Sequence, residues 1–366
     1  MRIKKKTTLT IEEYVKTYQD KSLSDAPINE VDYLLFALLT YLPLKPFVNP
    51  KTMTKLKPFI DKEDKCIGKI AKRAYQIFTI MEHSKRFGHI IVSDYVLKRD
   101  NQCQFKAMTF HFGKEKIIAY EGTDGSFIGW LENIRLLFQY PNYTQELAIS
   151  YLENHVTEED QDVVVLGHSK GGNLALAAGM EVKDDIYQHI KGVYNFDGPG
   201  FRKEQYESDG YQRLLEKLHN YYPEESLIGM LLANSNTNTK IVKSYGREID
   251  QHRIYNWKVE EDHFRLGSLK ANHEQLKKNI YQLSKDIDKE KTKKAIEALF
   301  GALMNSPLHN LHDISLKKSA DIMVIISNLK DLDKENKRLV LDFFKKLYKY
   351  ASYNPKKEKK KGQIKI

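Results

Sequence analysis

The apolar positions change their period three times along the chain. In residues 7–82, "INEVDYLLFALLTYL" and "CIGKIAKRAYQIFTIMEH" repeat apolar residues every three or four positions, which predicts helices. Pro43, Pro46, Pro50 and Pro58 mark an irregular stretch between them. In residues 88–121 the period falls to two. "GHIIVSDYVLKRD", "QFKAMTFHFG" and "KEKIIAYEG" are rich in β-branched and aromatic residues and are bounded by turn residues. They read as three consecutive strands, antiparallel at first. Residues 122–260 alternate the two patterns. A loop, "GTDGSF", leads to helices around "GWLENIRLLFQY" and "YTQELAISYLENHV". The strand "DVVVL", the helix "NLALAAGMEV", the strand "IKGVYNFDG", a helix near "GYQRLLEKL" and the strand "KIVKSYG" follow. Alternation of this kind predicts an α/β fold with a largely parallel central sheet flanked by helices on both faces. Residues 270–353 return to amphipathic, heavily charged helix, and no solenoid repeat is present. Four regions result: a helical N-terminal segment packing on the core (1–82), an α/β core (83–268), a helical C-terminal extension (269–353) and a basic disordered tail (354–366).

The most informative break is in "DVVVLGHSKGGNLALAAGM", residues 162–180. A strand pattern stops at Gly167-His168-Ser169-Lys170-Gly171 and resumes at once as helix. This G-x-S-x-G sits in the strand–turn–helix context that a nucleophile elbow requires. Such a turn lifts the serine hydroxyl above the sheet edge in a strained backbone conformation, and residues two positions either side must be small. The following helix would aim its N-terminal amides at a developing oxyanion. A phosphate loop is disfavoured, because "GGN" lacks the Lys-Ser/Thr of a Walker loop and no G-x-G-x-x-G is present.

"GHSKGGNLA" resembles the elbow of α/β-hydrolases, in particular the class 3 (triacylglycerol) lipases. "IIAYEGTDGSFIGWLENI" resembles that group's F/Y-R-G-T/S…W…N segment. With "NEVDYLL", "NFDGPGF", "SLIGMLL" and "QHRIYNW", the pattern over about residues 25–265 is similar to a lipase-related family of bacterial proteins. The resemblance implies an α/β-hydrolase fold and a Ser-His-acid triad with Ser169 as nucleophile. It places the oxyanion hole at the amides of Thr123 and Lys170. Glu121 stands where lipases often carry Arg. The base must lie downstream of the serine, at His189, His219, His252, His263, His273, His309 or His312. His252 follows the strand "KIVKSYG" and matches the family's "QH…W" pattern, with His263 next in order. Class 3 lipases place the acid before a V-P turn, where this chain has Asn220 or a tyrosine. Asp197, at the end of the strand after the elbow, is the substitute. Glu224, Glu225 and Asp250 stay open, and an Asx turn accounts for Asp197 almost as well.

Composition narrows the setting. With 366 residues and 41% hydrophobic content, the chain is long enough for a large core. Cys66 and Cys103 form neither a metal spacing nor a disulfide framework, which favours a reduced, cytoplasmic chain. The N-terminus has no apolar signal-peptide region, and "YLLFALLTYLPL" is too short to span a bilayer. The net charge of +10 is concentrated at the ends. Arg2, Lys4, Lys5 and Lys6 contribute +4, and residues 355–366 contribute +5, which leaves +1 for the body. Nucleic acid is therefore a poor partner for the body. The basic ends instead offer peripheral contact with an anionic membrane. The expected activity is hydrolysis of carboxylic esters, lipid-like acyl esters first, with no metal or organic cofactor. The competing reading is a weak or inactive hydrolase-fold interaction protein acting through its C-terminal helices. Substrate identity and oligomeric state are not encoded in any motif.

Overall fold

The run Val163–Leu166 is wholly apolar and fully buried, as a strand covered on both faces must be. In the computed structural model it lies near the middle of an eight-stranded sheet. The structure describes residues 8–60, 68–100, 102–124, 126–136, 138–232, 239–270, 288–304 and 333–342. The basic N-terminal run, the tail 354–366 and most of the C-terminal extension lie outside these residues.

In chain order the strands are β1 (Thr8–Leu9), β2 (Lys51–Thr52), β3 (Ile91–Arg99), β4 (Gln104–Phe112), β5 (Glu115–Tyr120) and β6 (Val163–His168). They continue with β7 (Ile190–Phe196), β8 (Leu218–Pro223), β9 (Thr239–Val242), β10 (Val259–Glu260) and β11 (His263–Phe264). The large sheet runs β2-β3-β4-β5-β6-β7-β8-β9. Its first four strands pair antiparallel and β5 to β9 pair parallel. This is an α/β fold with a mostly parallel central sheet flanked by helices, the architecture compatible with an α/β-hydrolase.

Two apolar clusters cover the sheet. One unites the N-terminal helices Ile11–Tyr18, Glu30–Leu39 and Lys69–Met81 with residues of the sheet and with Trp257. The other joins the helices Tyr143–His155 and Lys170–Glu181 to the opposite set of strand side chains. Capping boxes start three helices: Thr10 with Glu13, Asn29 with Asp32, and Asn142 with Gln145.

The structure adds to the pattern reading at three points. β8 escaped the pattern reading, because "LHNYYP" carries two polar residues and a proline and has no clean alternation. It is an interior strand only because β7 and β9 pair with it. The helix expected over 129–140 runs instead from Phe127 to Arg135. The N-terminal region also supplies short strands: β1 joins β10 and β11 in a separate three-stranded sheet, and β2 edges the large one. At two residues each, they are below the length at which periodicity shows.

Candidate active site

β6 and β7 lie side by side and in parallel, with Gly167 opposite Asn195 and His168 opposite Phe196. The next residue on each strand is therefore Ser169 and Asp197, together at the C-terminal edge of the sheet. The Ser169 amide donates to the Phe196 carbonyl (3.0 Å), and the Asp197 amide to the Tyr221 carbonyl (2.9 Å). Both residues have positive φ, 57° and 52°. That conformation is costly for a residue with a Cβ and persists only where the surroundings enforce it.

The elbow is tight. A Cβ on Gly167 would lie 2.2 Å from the Gly171 carbonyl, and one on Gly171 would lie 2.2 Å from the Tyr120 carbonyl oxygen. Both positions need glycine because backbone meets backbone there. Ser169 immediately precedes the helix Lys170–Glu181 and is 5% exposed.

Asp197 is fully buried. One carboxylate oxygen accepts from the Ser226 hydroxyl and from the Gly229 amide (3.1 Å). The other accepts from His252 Nδ1 at 2.7 Å. With Nδ1 donating to a carboxylate, the neutral ring presents Nε2 as its lone-pair nitrogen. His252 ends a four-residue helix, Ile249–His252, and its side chain keeps 15% of its surface open. Its neighbours hold that loop. The Gln251 side chain accepts from the Glu225 amide and donates to the Gly246 carbonyl. The buried Trp257 indole donates to the Gln251 carbonyl at 2.9 Å. The "QH…W" pattern is thus a histidine braced on both sides.

On the other flank, β5 leads to Gly122 and Thr123. The Asn133 side chain donates to the Thr123 hydroxyl oxygen at 2.7 Å, which leaves the hydroxyl's own hydrogen to point elsewhere. Among the described residues, neither the Thr123 nor the Lys170 amide has an acceptor. Beneath them lies a buried polar network that the motifs did not reveal. Lys170 Nζ meets Glu132 at 2.6 Å and both the carbonyl and the side chain of Gln104. Gln104 in turn donates to Glu121 (2.9 Å) and to the Gly122 carbonyl (3.1 Å). Glu121 also takes Lys106 as its ion-pair partner. Burial pushes the Lys106 ammonium down and the Glu132 carboxyl up, each against the pull of its partner. Glu121 and Glu132 within "YEGTDGSFIGWLEN", with Lys106 before that segment and Lys170 after it, were the available signal, since buried charges must pair.

The alternatives lie elsewhere. His263 is on β11 with Asp262 (3.0 Å), His189 bonds the Asp160 carbonyl, and His219 stacks on Tyr194 at 4.2 Å. His273, His309 and His312 fall outside the described residues. Asp250 pairs with Arg253, and Glu225 accepts from Lys270 and from the Glu248 amide. Asn220, at the position of the lipase acid, bridges strands by bonding Asn195 and Thr239. Among the described residues, no group of three or more metal-ligating side chains comes together.

The profile of the Mbeg1-like family matches residues 81–301, more than half of the chain. The chain belongs to the Mbeg1-like family. That family is lipase-related, which agrees with the hydrolase-type sheet and with the elbow. The Mbeg1-like match contains Thr123, Ser169, Asp197 and His252. It also runs past residue 265, where the motif resemblance ends, into the helix Lys289–Met304. Among curated proteins, none matches the chain.

Proposed function

We propose that this Mbeg1-like protein is a serine hydrolase of carboxylic esters, resembling class 3 lipases, with lipid-like acyl esters as its substrates. The observation that carries the reading is the buried Asp197–His252 pair at 2.7 Å, next to a serine held on a strained strand-to-helix turn.

In this scheme Ser169 attacks the ester carbonyl while His252 Nε2 takes its proton. Asp197 holds Nδ1–H and stabilises the imidazolium that forms. The amides of Thr123 and Lys170 bind the oxyanion, with the Thr123 hydroxyl as a third donor. His252 then protonates the leaving alcohol, and the acyl group stays on Ser169. Water, deprotonated by the same nitrogen, releases the acid. The residues in hand suffice for each proton and electron pair.

A fluorophosphonate probe tests the proposal. The full-length chain is expected to label at one site, Ser169, and the Ser169→Ala variant to stay unlabelled while keeping its circular dichroism spectrum. Well-folded chain that takes no label at Ser169 would count against the hydrolase reading. A panel of p-nitrophenyl esters of rising chain length then separates short-chain from lipid-like preference.

A further inference from the structure

The residue before the nucleophile, His168, is the least explained part of the elbow. It is 2% exposed, and its imidazole carries two hydrogen bonds in a region otherwise closed to water. Its Nε2 lies 2.9 Å from the backbone carbonyl of His252. A carbonyl can only accept, so Nε2 carries the proton. Its Nδ1 is then an acceptor, and the Tyr41 hydroxyl, 2.8 Å away, donates to it. The two histidine rings face each other with centroids 4.6 Å apart and a tilt of 35°. Tyr41 follows the helix Glu30–Leu39, 127 residues before His168 in the chain. Its hydroxyl also lies against Gly122, where an added Cβ would be only 1.9 Å from that oxygen.

From this juxtaposition we infer that His168, locked by Tyr41 as the neutral Nε2–H tautomer, is the positioning residue that holds His252 over Ser169 and ties it to the Gly122–Thr123 loop. The inference rests on the serine-hydrolase reading of the site and deepens it.

The electrostatic setting fits that role. Burial and the facing His252 hold the His168 imidazole well below the usual histidine range, so it stays neutral when His252 gains its proton. A cationic neighbour at that separation would oppose the imidazolium that Asp197 stabilises. The titratable groups that bear on the relay are His252 on the ring and Glu121 and Asp124 on the Tyr41 hydroxyl. Burial first, and then these carboxylates, oppose ionisation of Tyr41 and keep it a donor. A backbone carbonyl anchored in this way fixes where the His252 side chain starts, and angular errors of tens of degrees at a general base are costly in rate.

The test combines kinetics with nitrogen spectroscopy on the full-length chain. His168→Gln keeps an N–H at the distance of Nε2, whereas His168→Leu keeps bulk and loses the donor. The glutamine variant is expected to retain ester turnover within a few-fold of wild type. The leucine and Tyr41→Phe variants should lose at least tenfold in kcat with KM nearly unchanged. In a 15N-histidine spectrum, the wild-type His168 ring should appear as a single Nε2–H tautomer that does not titrate between pH 5 and 8. Tyr41→Phe should release it into a tautomer mixture. Equal loss in the glutamine and leucine variants, wild-type turnover in Tyr41→Phe, or an ordinarily titrating His168 would each overturn the inference. The spectrum needs no activity, so it decides the tautomer even if the leucine variant fails to fold. Absence of fluorophosphonate labelling in wild type is a separate failure: it removes the hydrolase reading and with it the catalytic meaning of a locked ring.

Discussion

At the scale of single residues, Asp197 shows how an ambiguous side chain acquires a defined set of partners. In the sequence it is an aspartate before Gly-Pro-Gly, as suited to a turn as to a triad. In the structure one oxygen is held by Ser226 and Gly229, and only the other faces His252. An Asp197→Asn variant would present an amide N–H₂ or a neutral oxygen to Nδ1. It would weaken both the tautomer and the imidazolium. We expect kcat to fall by about 10⁴-fold with the fold intact, the size seen when a triad acid becomes an amide. Steady-state ester hydrolysis measures this, and a loss under tenfold would argue against the acid role. Lys170 teaches the opposite lesson. The proposed mechanism gives its amide to the oxyanion hole, but nothing local assigns its side chain, which is spent on Glu132 and Gln104.

At the scale of elements, the elbow was legible because one short segment contains the whole strand–turn–helix transition. The close approach between β5 and the start of the helix Lys170–Glu181 was not, since it joins segments 51 positions apart at Tyr120 and Gly171. A Gly171→Ala variant must push its methyl against the Tyr120 carbonyl, which is backbone and cannot rotate away. We expect a loss of about 3 kcal/mol, at the top of the range for forced overpacking. It should appear as a lower Tm in calorimetry together with reduced Ser169 labelling. A wild-type Tm would mean that the elbow is looser than its contacts imply. β8 was missed for a related reason. Its residues pair as an interior strand, but only neighbours far away in the chain make "LHNYYP" extended.

At the scale of the whole molecule, the N-terminal helices are fastened to the rest by a buried polar cluster. Arg86 meets Asp32 at 2.6 Å, both side chains are fully buried, and Tyr14 donates to the same carboxylate. Arg86 also bonds the carbonyl of Ala26 at 2.8 Å. Replacing Asp32 with Ala would strand the guanidinium in a dry interior. Breaking a buried pair this way costs about 3–5 kcal/mol. Urea unfolding should show that loss, and the Tyr41 contact to His168 should weaken with it, because Tyr41 follows the helix whose capping box Asp32 completes. Unchanged stability would show that this cluster is not what holds the segment. At this scale too, no helix among the described residues is long and apolar enough to cross a membrane. The helix Lys289–Met304 packs on the helix Phe127–Arg135 that carries Asn133 and Glu132. That helix therefore reaches the element whose Asn133 donates to the Thr123 hydroxyl.

The sequence by itself determined the class of fold and the place of the elbow. Apolar period, glycine spacing and strand–helix alternation are local properties, and 19 consecutive residues were enough to show the turn. Only the tertiary structure decided which acid meets which histidine, and which tyrosine and lysine stand behind them. Those contacts span 55 positions for Asp197 and His252 and 127 for Tyr41 and His168. Hydrogen bonds act over about 3 Å, and no period in a single chain encodes which distant carboxylate or hydroxyl the packing of a sheet will bring within that reach.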